Sequence, residues 1–275
     1  MRHIRLFTTV LLGVLTLYFV GAALVLRFGM DRLLFPRTPA FTGPQAEAMF
    51  SIKSDSGNKL LVRRYGQARL GCILFFPGQH GAGRAYNFTD YVSSGFAVFQ
   101  LAYPGQDGAA GRARLGEIEK LAGDAVHTIG EACPADRIVF IGVSLGGMLG
   151  AYAVKSGQPA GLVLVSAAPS MSSAIRVRLQ SHVALAPIAW LPLSHLVPHD
   201  YSLAEALARA PGIPVVIFQG TQDDQTPIEL LRSSDIPDGE VKVLEVTDAT
   251  HSNAFSLSSA AQVSAILAML PRNGT

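Results

Sequence analysis

The pattern of hydrophobic and polar positions divides the chain into two unlike parts. From Leu6 to Leu26, "LFTTVLLGVLTLYFVGAALVL", 21 residues pass without a charge, with Arg2 and Arg5 before them and Arg27 after. As a helix they extend about 32 Å, enough to cross a bilayer's hydrocarbon core of about 30 Å. Beyond them, short apolar runs alternate with longer mixed stretches. The runs are "CILFF" at 72–76, "FAVFQLAY" at 96–103, "RIVFIGV" at 137–143, "GLVLVSA" at 161–167, "PVVIFQG" at 214–220 and "VKVLEV" at 241–246. Most are apolar on both faces, as strands buried between helices are. "MFSIKS" and "KLLVRRYG" are more polar, and Asp55-Ser56-Gly57-Asn58 between them supplies turn chemistry, so they read as a hairpin.

Residues 115–131 and 146–156 have the length and composition of crossover helices. A hairpin followed by repeated strand–helix units predicts an α/β fold, with a mostly parallel sheet of about eight strands and helices on both faces. Residues 1–27 are expected to be a single-pass membrane anchor. A cleaved signal peptide is the competing reading, since Gly21-Ala22-Ala23 offers small residues, but the apolar run continues through Leu26 without a clean cleavage site. Residues 28–48, punctuated by Pro36, Pro39 and Pro44, read as a connector. Residues 49–275 then form the folded domain, and 168–212, the longest segment between strands, reads as an insertion or cap.

Composition and charge narrow the partners. The chain is 49% hydrophobic, and much of that excess sits in the first segment. Of the 22 basic and 20 acidic residues, three arginines and no acid fall in residues 1–27, which leaves 19 against 20. Without a basic run, the electrostatic footprint of nucleic-acid binding is missing. None of the usual metal-ligand or dinucleotide spacings occurs, so neither a metal nor an organic cofactor is expected.

The candidate chemistry centres on "RIVFIGVSLGGMLGAYAV", residues 137–154, where Gly142, Ser144 and Gly146 give the spacing G-x-S-x-G. A strand-like run precedes Ser144 and a helix-like run follows it, the context that a nucleophile elbow requires. Tight turning demands glycine two residues either side of the serine, and Gly147 is expected to let the helix pack near the strand. A serine hydroxyl needs a base to take its proton. On such a sheet the partners follow in the order Ser, acid, His. His251 lies just beyond the last strand candidate, whereas His3, His80, His127, His182, His195 and His199 all lie earlier. Asp223 and Asp224 stand side by side after the preceding strand, and spacing alone does not choose between them. Asp248 falls one strand too late.

These segments together resemble the α/β-hydrolase superfamily over roughly residues 49–270. "GVSLGG" resembles its G-x-S-x-G-G elbow, and "GTQDDQTP" resembles its G-x-x-D-x-x-x-P, which implies Asp223 as the acid. "TDATHSN" resembles its histidine loop and implies His251 as the base. The apolar front, then "RLLFPRTP", then "SIKSDSGNKLLVRRYG", is similar to the membrane-anchored lysophospholipase, monoacylglycerol-lipase and depalmitoylase-like branch. The resemblance implies a serine hydrolase that cleaves an ester or thioester of an acyl-lipid-like small molecule through an acyl-enzyme. It would be held to a lipid bilayer by the N-terminal helix, with its catalytic domain exported.

The chain departs from the family in one place. Where the family has His-Gly after its third strand, this chain has Pro77-Gly78-Gln79-His80-Gly81. Aligning Pro77-Gly78 with His-Gly implies the Gln79 amide as one oxyanion donor, beside the Leu145 amide; aligning His80-Gly81 moves that role to Ala82. His80 and Trp190 are candidates for substrate contact. The departure also leaves room for a hydrolase-fold binding protein without activity, and the same triad could serve a peptidase or perhydrolase. If the strand order follows the resemblance, Cys72 and Cys133 lead into neighbouring strands and a disulfide can form, although two separate reduced thiols is the simpler expectation.

Overall fold

The computed structural model describes residues 2–40, 42–81, 86–236 and 241–271. Its eight strands are β1 (Ala48–Lys53), β2 (Lys59–Tyr65), β3 (Gly71–Phe76), β4 (Phe96–Ala102), β5 (Ile138–Val143), β6 (Gly161–Val165), β7 (Val215–Gly220) and β8 (Val241–Val246). They form one sheet in the order β1-β2-β4-β3-β5-β6-β7-β8. The β1–β2 and β2–β4 pairs are antiparallel, and every later pair is parallel. The predicted hairpin closes with Ser54 N–H on Asn58 O at 2.9 Å, and Gly57 supplies φ +83°.

Alternation along the strands splits the core into two layers. Cys72, Leu74 and Phe76 of β3 face one side, with helix α2 (Leu115–Gly130) and helix α3 (Leu145–Gly157). Ile73 and Phe75 face the other, with Phe88, Tyr91, Phe255 and Ile266. Helix α2 buries Leu115, Ile118, Leu121, Ala122, Ala125, Val126 and Ile129, a stripe at helical spacing. The segment between β6 and β7 holds helix α4 (Met171–Gln180), a 3-10 turn at Ala186–Trp190 and short helices at Leu193–Leu196 and Leu203–Ala208.

One sequence expectation changes here. Cys72 and Cys133 form a disulfide rather than standing as separate thiols, because the β3–β5 pairing brings their Cα atoms within 6.2 Å. The connector packs against the folded domain. Met30 and Phe35 are buried, and Asp31 Oδ1 accepts the Leu115 N–H at 3.0 Å, satisfying an amide that the start of α2 leaves open. The expected long apolar helix, α1, spans Arg2–Phe28, and only 6% of its most apolar window is buried.

Candidate active site

The carboxyl ends of β3, β5, β7 and β8 converge on one edge of the sheet, where ligands bind in open α/β folds. Ser144 follows β5 directly, with φ 52° and ψ −120°. A non-glycine residue held in such a conformation costs about 1–3 kcal/mol, and its surroundings must fix it. Here the Ser144 N–H donates to Val165 O and its carbonyl accepts the Gly147 N–H, both at 2.9 Å. A Cβ on Gly142 would come within 2.5 Å of Gly146 O, and one on Gly146 would overlap the carbonyl oxygens of Phe76 and Pro77. Gly147 differs from the expectation: a Cβ there would meet nothing nearer than 3.5 Å, since it points between Gly142 and Leu164. The close approach of helix to strand rests on Gly142 and Gly146.

His251 lies five residues past β8, and its Nε2 is 2.9 Å from Ser144 Oγ. Its Nδ1 is 2.9 Å from Asp223 Oδ2 and 3.0 Å from Oδ1. An ionised carboxylate only accepts, so Nδ1 carries the proton and Nε2 is left to accept from the serine hydroxyl. Ser144, His251 and Asp223 thus form one continuous hydrogen-bonded row. Asp224, by contrast, is exposed, and Asp248 is engaged with Gln222 Nε2 at 3.1 Å, away from the imidazole.

Asp223 is buried and surrounded by donors. Its Oδ1 accepts the amides of Thr226 at 2.8 Å and Gln225 at 3.0 Å; its Oδ2 accepts the Thr226 hydroxyl at 2.9 Å and Gln219 Nε2 at 3.2 Å. Burial pushes the carboxyl upward, but the His251 contact and the Thr226 donors outweigh it and hold the group below the ordinary aspartate value. Gln219 is wholly buried and also accepts the Ala167 N–H at 3.0 Å, tying β7 to the end of β6.

Beyond β3, the Pro77–Gln79 segment runs beside the elbow: a Cβ on Gly78 would lie 3.6 Å from Ser144 Cβ. Among the described residues, neither the Gln79 N–H nor the Leu145 N–H donates a hydrogen bond within the protein. The alternative donor Ala82 lies outside the described residues. The Tyr86 hydroxyl accepts the Gly78 N–H at 3.1 Å, and burial, only partly offset by that amide, raises it to about 12, so it stays protonated. Gln106, wholly buried in the loop after β4, donates through Nε2 to Gln79 O at 2.8 Å and to Pro36 O at 3.0 Å. Gln79 Nε2 in turn donates to Leu33 O at 2.5 Å. His80 is exposed beside this loop, and Trp190 is 83% exposed on its 3-10 turn.

Gln219, Thr226, Tyr86 and Gln106 did not emerge from the sequence. A single amide inside the apolar run "VVIFQG" and a threonine three residues after Asp223 were signals for the first two. Gln106 and Tyr86 sit in loops, where nothing in the sequence distinguishes them.

No family profile matches the sequence, and no curated protein matches it. Solved structures do. An esterase of Pyrococcus furiosus superposes with TM-score 0.66 at 13% identity, covering 85% of this chain and 96% of its own. An alpha-beta serine hydrolase homologue from Coxiella burnetii gives 0.55 at 17%, covering 84% and 100%. The thioesterase domain from the curacin biosynthetic pathway gives 0.56 at 15%, covering 80% and 100%. At these identities the likeness defines the fold, and the fold is that of the α/β hydrolases.

Proposed function

We propose that this chain is a membrane-anchored serine hydrolase that cleaves a carboxylic ester or thioester through an acyl-enzyme. The observation that carries the reading is the row from Ser144 Oγ through His251 to Asp223, with both hydrogen bonds at 2.9 Å. Ser144 Oγ attacks the acyl carbonyl while its proton passes to His251 Nε2. Asp223 keeps the imidazole in the required tautomer and stabilises the imidazolium. The Gln79 and Leu145 amides hold the oxyanion, where one such donor is worth about 3–4 kcal/mol. His251 then returns the proton to the leaving alcohol or thiol, and a water repeats the sequence on the acyl-enzyme to release the acid.

Two free amides beside the elbow support turnover over a binding-only role, despite Pro77-Gly78 in place of His-Gly. The esterase and thioesterase neighbours support an ester or thioester as the bond cleaved. The 168–212 segment serves as the cap, with His80 and Trp190 as candidate lipid-side or substrate contacts. The apolar N-terminal helix supports a retained bilayer anchor, and the Cys72–Cys133 disulfide supports an oxidising compartment for the catalytic domain. The test is hydrolysis of an acyl-chain series of esters and thioesters by the full-length chain and by Ser144→Ala. The variant should lose activity by about a thousandfold or more; full hydrolysis by it removes the mechanism.

A further inference from the structure

The N-terminal helix does not stand clear of the rest of the protein. Tyr18, Ala22 and Leu26, at i, i+4 and i+8 on one face, pack with Ile188, Leu191 and Leu193 of the segment that follows α4. The Tyr18 hydroxyl donates to Ala184 O at 2.5 Å. From Val183 to Leu193 that segment, "VALAPIAWLPL", carries no charge. Its outer side chains stand exposed among the described residues: Val183 is 95% exposed and Trp190 83%. Arg176 and Arg178 precede the segment on α4, and Arg176 Nη1 donates to Ala189 O.

Helix geometry decides where this segment sits, given the anchor reading above, on which the inference rests. Ala184 is level with Tyr18, eight residues or about 12 Å inside Leu26. If the segment stayed in water, only Leu6–Leu17 would remain for the bilayer. That is about 18 Å of apolar helix against a core of about 30 Å. With the segment submerged, Leu6–Leu26 spans the core in full. Mismatch of the first kind would have to be absorbed by thinning the bilayer or by drawing Arg2 and Arg5 toward hydrocarbon, each at a cost that grows with the mismatch.

We infer that residues 183–193 are embedded in the same leaflet as the carboxyl-terminal half of the N-terminal helix, with Trp190 and Val183 in contact with lipid. The occupant of this exposed apolar face is the bilayer. Arg178, exposed on α4, suits the phosphate layer above it, where long basic side chains reach headgroups, whereas Arg176 is held by Ala189 O within the segment. The hydrolase domain is therefore set into the membrane surface rather than hung from it on a tether.

Trp190 is the only tryptophan in the chain, so its emission reports this segment alone. The full-length protein is reconstituted into phosphatidylcholine vesicles with a minority of phosphatidylglycerol, and its flotation is scored separately. If the protein floats, and Trp190 emission is blue-shifted, quenched by lipids brominated in their acyl chains and shielded from aqueous iodide, the inference stands. If the protein floats but iodide quenches and bromolipids do not, the embedding is wrong while the anchor remains. If the protein does not float, the anchor reading fails and takes the inference with it.

Discussion

Thr226 donates twice to Asp223, through its amide to Oδ1 at 2.8 Å and through its hydroxyl to Oδ2 at 2.9 Å. With His251 these donors overcome burial and lower the folded-state value of the carboxyl. A depressed acid contributes stability that is complete above the unfolded value, about 3.9, and is lost as pH falls through the folded value. Thr226→Val removes one donor and lets burial act more strongly. Acid unfolding followed by circular dichroism should then begin at a higher pH than in the parent. An unchanged acid limb would mean that the hydroxyl contributes nothing to the carboxylate.

Gln106 Nε2 faces two carbonyls, Gln79 O and Pro36 O, so its amide has one possible orientation. It fixes the peptide that carries the proposed oxyanion donor and ties it to the connector. Gln106→Leu should lower kcat about tenfold with little change in KM, as an interaction felt mainly in the transition state does. Leaving these part-buried carbonyls unpaired should also lower thermal stability, by up to about 1 kcal/mol each. A fall in Tm without any fall in kcat would make Gln106 purely structural.

The two glycines after the elbow should behave oppositely. Gly146→Ala forces a methyl into the Phe76 and Pro77 carbonyls, and backbone cannot yield as a side chain does. Overpacking of that kind costs about 1–3 kcal/mol or more. Gly147→Ala meets only ordinary contacts at 3.5 Å and removes a helical glycine, a gain of about 0.5–1 kcal/mol. Thermal unfolding of the two variants distinguishes them, and equal destabilisation would contradict the local packing.

The Cys72–Cys133 bridge closes a sequence separation of 61 residues between buried positions. Loop-closure entropy sets its contribution at up to about 4 kcal/mol. Replacing both cysteines with alanine should lower Tm by an amount that a reducing agent reproduces in the parent. Insensitivity of the parent to reduction would show that the thiols are not paired.

The sheet was legible because a central parallel strand is buried on both faces and so must be apolar throughout, as β3, β5 and β6 are. Ser144 and His251 were legible from order along the chain. Asp223 was not separable from Asp224 by spacing, because both stand on the same loop; it is distinguished by the Thr226 and Gln225 amides that enclose it. Gln106 and the connector were hidden for a different reason. Their contacts join Leu33 and Pro36 to Gln79 and Gln106 across three separate stretches of chain, and no local pattern encodes such a meeting.

The central claim is that Ser144 is an activated nucleophile. Fluorophosphonate labelling of the folded full-length protein beside its Ser144→Ala variant tests it most directly. The account predicts stoichiometric labelling of the parent and none of the variant. Equal labelling of both, or a folded parent that does not label, would contradict it.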